Sequence, residues 1–171
     1  DKMSVAIYDT VYTPQHDCTR PVAWRTWILT QCCTTPFGTA WSGLCCKSFC
    51  WLCRKDTQRS QANPYGDESL VFVRDGTEFE QKCAYQFNLA AVTSVRYVAE
   101  NPGNSTLLFM PAWERTLHIH GVESLVTLLG CFGADSEKCI KLFANSYAFP
   151  WVSTLIRGKP EPPEGGWKKL V

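Results

Sequence analysis

Cysteine is the residue whose type and spacing carry the most chemistry in this chain. Six of its ten cysteines fall between Cys32 and Cys53, in the run CCTTPFGTAWSGLCCKSFCWLC. With Cys18 just upstream, seven lie within 36 residues, a density that core packing does not explain and that crosslinking by disulfides or metal does. Adjacent cysteines at 32/33 and 45/46 rarely bond to each other, because a ring closed across one peptide bond is strained. Each pair is expected to send its sulfurs to two different partners, which makes the cluster a junction. Connectivity cannot be read from spacing. Cys18, Cys32, Cys33, Cys45, Cys46, Cys50, Cys53 and Cys83 are therefore candidate disulfide residues without assigned partners. Cys131 and Cys139 flank an expected turn between two helices and are expected to pair and staple them.

Metal is the second chemistry the cluster allows. Cys45, Cys46, Cys50 and Cys53 form an array in which the last two have the spacing that grips one Zn²⁺ from a tight turn. The fragment Phe49-Cys50-Trp51-Leu52-Cys53 resembles the closing zinc pair of RING-between-RING ubiquitin ligases over those five residues. The cofactor expectation is thus none, or zinc. Paired cysteines among apolar residues are also open to lipid modification.

Nucleophilic catalysis is the third. Cys50-Trp51 resembles the Cys-Trp pair of papain-like proteases, and Phe-Cys-Trp-Leu resembles the nucleophile region of the compact papain-like proteases in arterivirus non-structural proteins. That resemblance implies a cysteine protease with Cys50 as thiolate nucleophile and His118 or His120 as its general base, the two histidines standing 68 and 70 residues downstream. On an expected strand, His118 and His120 would share a face and could also hold a metal with Glu114, Glu123 or a distant cysteine.

Asn104-Ser105-Thr106 is an N-glycosylation sequon in a polar, turn-like stretch. Together with the cysteine count it favours an extracellular or secretory location, a cytoplasmic one following only if the cysteines bind zinc. The sequence opens on Asp1 without a basic, apolar leader, as expected of a processed or trimmed product. A formal charge of +1 with scattered Lys and Arg gives no electrostatic footprint for nucleic acid, and no apolar run is long enough to span a membrane.

These residues must be positioned by a chain of 171 residues, 45% hydrophobic and 19% charged, with seven Trp, six Tyr and nine Phe. Such a composition is globular. The expected fold class is α+β: a cysteine-crosslinked N-terminal module, an antiparallel β-sheet and two short C-terminal helices. Strands are expected at Ser4 to Tyr12 and Val22 to Leu29, with a polar boundary from Arg54 to Glu68. A hairpin about Asp75-Gly76 would join Ser69 to Arg74 and Thr77 to Leu89. A second would join Val92 to Ala99 and Thr106 to Met110, and Arg115 to His120 would add a strand. Helices follow at Val122 to Phe132 and Ser136 to Asn145. The corresponding division is 1–58, a cysteine-rich module; 59–157, sheet plus helices; and 158–171, an extended Pro/Gly-rich tail. The leading functional expectation is a disulfide-stabilised, non-catalytic module that presents aromatic and loop residues to another protein. The alternatives are the cysteine protease and an intracellular zinc-binding module.

Overall fold

The computed structural model describes residues 17–43, 46–129 and 138–155. The expected strand at Ser4 to Tyr12, Cys45, Cys131 and the tail from 158 lie outside them. The described chain is a mixed α/β structure with four strands and five α-helices, in the order α1 (Pro21–Cys32), β1 (Thr39–Gly43), α2 (Arg54–Thr57), α3 (Val71–Thr93), β2 (Arg96–Pro102), α4 (Pro111–Ile119), β3 (Glu123–Leu128), β4 (Cys139–Ala144) and α5 (Phe149–Leu155). Short 3₁₀ turns at Cys46–Ser48, Trp51–Cys53 and Thr106–Phe109 fill the connections.

The four strands form one sheet in the order β1-β2-β4-β3. It is mixed, since β1 pairs with β2 in parallel while β2/β4 and β3/β4 are antiparallel. The two-residue period of the pleat sends Tyr97, Ala99 and Phe143 into one core and Val98, Ile140, Leu142 and Ala144 into another. On the first face lie α3 and α4, tied to the sheet by a chain of edge-on rings: Tyr97 to Phe87 at 4.5 Å, Phe87 to Trp113 at 5.4 Å and Trp113 to Phe143 at 5.1 Å. The second face is covered by Ala148 and Val152, in and just before α5. Asn145 fixes the junction of β4 and α5. Its Nδ2 donates to the Val95 carbonyl at 2.9 Å, and its Oδ1 accepts from the backbone N–H groups of Tyr97 and Ala148.

The local assignments differ from expectation almost segment by segment. Val22 to Leu29 is helical, because Pro21 presets the first turn and Ala23, Trp27 and Gln31 recur every four residues on the buried side. The Asp75-Gly76 hairpin is absent: both residues sit inside the 23-residue helix α3, whose Val73, Thr77, Glu80, Ala84, Phe87 and Ala90 are buried at helical spacing. Arg115 to His120 lies on α4 and its end, not on a strand. The two expected C-terminal helices give way to β3 and β4, paired from Glu123 with Ala144 to Leu128 with Cys139.

The polar stretch 54–68 is fastened down by its arginine. Arg59 is 2% exposed, and its guanidinium donates to the carbonyls of Pro64 at 2.7 Å and Val73 at 2.8 Å and to Thr77 Oγ1 at 2.9 Å. The loop is closed further by the Asp67 N–H on the Thr57 carbonyl. Gly66 is required there, with φ +68 and space for a Cβ only 2.3 Å from the Thr57 oxygen. One core cluster joins Cys18, Trp27 and Phe49 to Cys83, Phe87 and Tyr97, and so draws on both sides of the expected 58/59 boundary.

Candidate functional site

The segment that carries most of the candidate chemistry, residues 46–57, is a short helical run held by one buried ring. Phe49 is 1% exposed. Its carbonyl accepts from the Thr106 N–H at 2.8 Å and Thr106 Oγ1 at 3.1 Å, and the Arg59 guanidinium lies over its ring at 4.4 Å. Cys50 follows in extended conformation (φ −65, ψ 132) and precedes the 3₁₀ turn Trp51–Cys53, which runs straight into α2. Cys50 is half-buried and heads that helical run.

The histidines are elsewhere. Phe49 and Ser48 pack at Gly76 of α3, whereas His120 Nε2 is 2.6 Å from Asn88 Oδ1. Gly76 and Asn88 are twelve residues apart on one helix, about 18 Å along its axis. His118 lies on the same end of α4, exposed in its last turn. The structure therefore does not bring Cys50 beside either histidine. Because His118 is helical, it and His120 project in directions about 200° apart rather than onto one face, which removes the shared-face argument for a metal. Among the described residues no group of three or more His, Cys, Asp or Glu side chains converges as metal ligands would.

No disulfide joins two of the described residues. Cys32 and Cys33 are exposed at the end of α1, Cys139 is exposed at the start of β4, and Cys50 and Cys53 are half-buried. Cys83 is different. It is fully buried, with the Ser42 and Tyr97 hydroxyls, themselves 2.8 Å apart, as its polar neighbours. Burial pushes its thiol up to about 12, so the thiolate needed for exchange or metal binding is disfavoured.

What the structure does assemble around residue 51 is an aromatic ridge between two shallow clefts. Trp51, 43% exposed, and Phe109 line both. The first cleft encloses about 430 Å³ and adds Arg54, Lys55, Gln58, Arg59, Ser60 and Gln61. Arg54 and Lys55 are exposed cations, and no carboxylate lines that side. Arg54 stacks on the Trp51 ring at 3.8 Å, which orients both. The second cleft, about 400 Å³, is neutral and is lined by Trp51, Phe109, Asn104 and Ser105. Asn104 is exposed in the turn after β2.

Trp51 stood inside the fragment that drew attention in the sequence. Phe109 and Arg59 did not, since Phe109 sat in an expected strand and Arg59 in an expected solvated loop. The buried Glu80 was not singled out either; it lay inside the expected hairpin strand Thr77 to Leu89.

Comparison with protein-family models, curated proteins and solved structures finds no match to this chain. No helix among the described residues is long and apolar enough to cross a membrane.

Proposed function

We propose that the chain is a non-catalytic protein-interaction module, stabilised by disulfides in an extracellular or surface setting, that docks a partner on the Trp51–Phe109 ridge. The observation that carries this reading is the first cleft: the exposed Trp51 ring and the half-buried Phe109 ring beside Arg54 and Lys55, without a carboxylate in the lining. Rigid aromatics with a polar handle and arginine are the side chains that dominate binding energy at protein interfaces. The complementary partner is an acidic segment carrying one apolar anchor. The anchor would fill the space between the rings while its carboxylates face the two cations.

The disulfide part of the reading rests on ten cysteines and on the exposed positions of Cys32, Cys33 and Cys139, which leave their sulfurs reachable by other cysteines of the chain. Cys131 remains the proposed partner of Cys139.

The test is selection of peptides from a displayed random library on the intact chain. Enrichment of Asp- and Glu-rich peptides with a single apolar residue is expected, with binding lost in Trp51→Ala, weakened in the Arg54→Glu/Lys55→Glu double variant and weakened by salt. Selected peptides that bind Trp51→Ala as well as the parent would sink the docking site. Intact mass before and after reduction addresses the disulfides: each bridge adds two hydrogens on reduction, and ten thiols in the unreduced protein would remove that part of the proposal.

A further inference from the structure

We propose that Asn104 is an N-glycosylation site whose first N-acetylglucosamine seats in the neutral cleft beside it, so that a partner reaches the ridge only from its basic side. The last clause rests on the docking reading above; the seating of the sugar does not.

The sequon supplies the modification chemistry and the fold supplies the seat. Asn104 is exposed at a turn that is itself fixed. The Gly103 N–H donates to the Cys139 carbonyl at 3.0 Å, the Ser105 N–H to the Pro102 carbonyl at 3.0 Å, and the Leu107 N–H to Ser105 Oγ at 3.1 Å. A glycan leaving Asn104 therefore starts from a defined direction. Immediately beside it is an open volume of about 400 Å³ walled by two aromatic rings and Ser105, with no charged side chain in the lining. That lining suits a pyranose tethered at Asn104, whose C–H faces pack on aromatic planes while its polar groups can meet the Ser105 hydroxyl. The neighbouring cleft, with Arg54 and Lys55, offers charge instead. The two clefts share Trp51 and Phe109, so filling one leaves the ridge approachable only from the other.

The fold also sets when the sugar is added. In transfer, the Asn104 amide nitrogen attacks C1 of a polyisoprenyl-diphosphate-linked oligosaccharide. The C1–O bond to the diphosphate breaks, the amide loses one proton, and the lipid diphosphate leaves. The hydroxyl that completes the sequon belongs to Thr106, which is 2% exposed and donates to the Phe49 carbonyl. In the folded protein that hydroxyl is occupied and out of reach. The glycan is therefore attached before Phe49 and Thr106 dock.

The experiment directs the full chain, behind a heterologous secretion leader, into mammalian cells and recovers both the secreted and the cell-retained protein. Parent, Asn104→Gln and Thr106→Ser chains are compared by mass before and after amidase removal of N-glycans, then by hydroxyl-radical footprinting of Trp51 and Phe109. The parent and Thr106→Ser are expected to carry the glycan and Asn104→Gln to lack it. Trp51 and Phe109 are expected to label severalfold less in the glycosylated parent than in Asn104→Gln, with other exposed aromatics such as Tyr65 unchanged. An unmodified Asn104 in the recovered parent overturns the proposal, as does equal labelling of the two rings with and without the glycan. Neither readout involves a partner. Loss of peptide binding in Trp51→Ala together with unprotected rings would leave the docking reading standing and this inference refuted, and the converse pattern would do the reverse.

Discussion

Glu80 and Arg59 are both buried on the inner side of α3, yet they do not share a hydrogen bond. The Arg59 guanidinium is spent on the Pro64 and Val73 carbonyls and on Thr77, while neither Glu80 oxygen reaches a hydrogen-bond partner. The Trp113 backbone amide faces Glu80 and favours its charged form, more than the Arg59 charge does, but less than burial disfavours it. Burial dominates and raises the carboxyl from its ordinary 4.5 to about 7, with the nearby Arg59 charge opposing part of the rise. A buried carboxyl of this kind is neutral in mildly acidic solution and becomes an ill-compensated charge as it ionises.

Stability should accordingly fall as pH rises. A carboxyl whose folded value lies above its unfolded value stabilises the fold below about 4.5 and loses that contribution as pH climbs through about 7, with a ceiling of about 3 kcal/mol. Glu80→Gln keeps the shape and removes the titration. Thermal melts across this range should show a parent whose Tm declines toward alkaline pH and a Glu80→Gln variant that is flatter and more stable at the alkaline end. Parallel curves for the two proteins would refute the assignment.

Arg59 should be the most costly single polar residue to replace. Removing its guanidinium leaves the Val73 and Pro64 carbonyls without that donor and takes the cation from beside Glu80, a loss of about 3 to 5 kcal/mol. Arg59→Lys should recover little of it, because one ammonium cannot reproduce the fork that spans Pro64, Val73 and Thr77. Denaturant unfolding of Arg59→Met and Arg59→Lys measures this; a Lys variant as stable as the parent would show that charge alone is what matters there.

Gly76 tests why α3 is a helix despite its Asp-Gly pair. Alanine improves helix propensity by about 1 kcal/mol, but a Cβ at Gly76 would fall 2.0 Å from Ser48 Oγ and 3.0 Å from Ser48 Cβ. Overpacking of that kind costs about 1 to 3 kcal/mol and should win, so Gly76→Ala is expected to destabilise. Ser48→Ala in the same chain removes the closer atom and should return part of the loss. A double-mutant cycle on unfolding free energy reads the coupling, and additive effects would mean that Ser48 does not press on this glycine.

The same helix shows why so much of the fold was illegible. Asp75-Gly76 is a strong local turn signal, and Val, Trp and Ile in Val22 to Leu29 are strand formers. Both segments are nevertheless helical because their buried residues recur at three and four, a pattern fulfilled only by packing α1 against α3 through Trp24, Trp27, Phe79 and Tyr85. The error ran the other way near the C-terminus. Leu125, Leu128 and Leu129 fit a helical stripe, while the decisive alternation of Ile140, Leu142 and Ala144 depends on a sheet whose other strands come from distant sequence. What was legible was local and chemical: the polar loop before α3 and the turn at 103–104, although Asn101 and Pro102, expected in that turn, end β2. Phe109 could join Trp51 only once Thr106 was seen to hold Phe49.

Cys83 separates the buried sulfur from the rest of the cysteine chemistry. It is 0% exposed, it neighbours the Ser42 and Tyr97 hydroxyls, and its thiol is raised to about 12, so under native conditions it should resist alkylating reagents that require thiolate. Cys32, Cys33 and Cys139 are exposed and meet reagent freely wherever they are not already oxidised. Mass-mapped alkylation of the native, unreduced chain should leave Cys83 unlabelled, and the same reaction in denaturant without reductant should label it. Labelling there identifies Cys83 as a thiol. Because the chain has ten cysteines, one unpaired Cys83 leaves nine, and at least one further sulfur must then also lie outside any intramolecular bridge. A Cys83 that stays unlabelled until reductant is added would instead place it in a disulfide, which would require the Ser42–Tyr97 side of the core to open around a second sulfur.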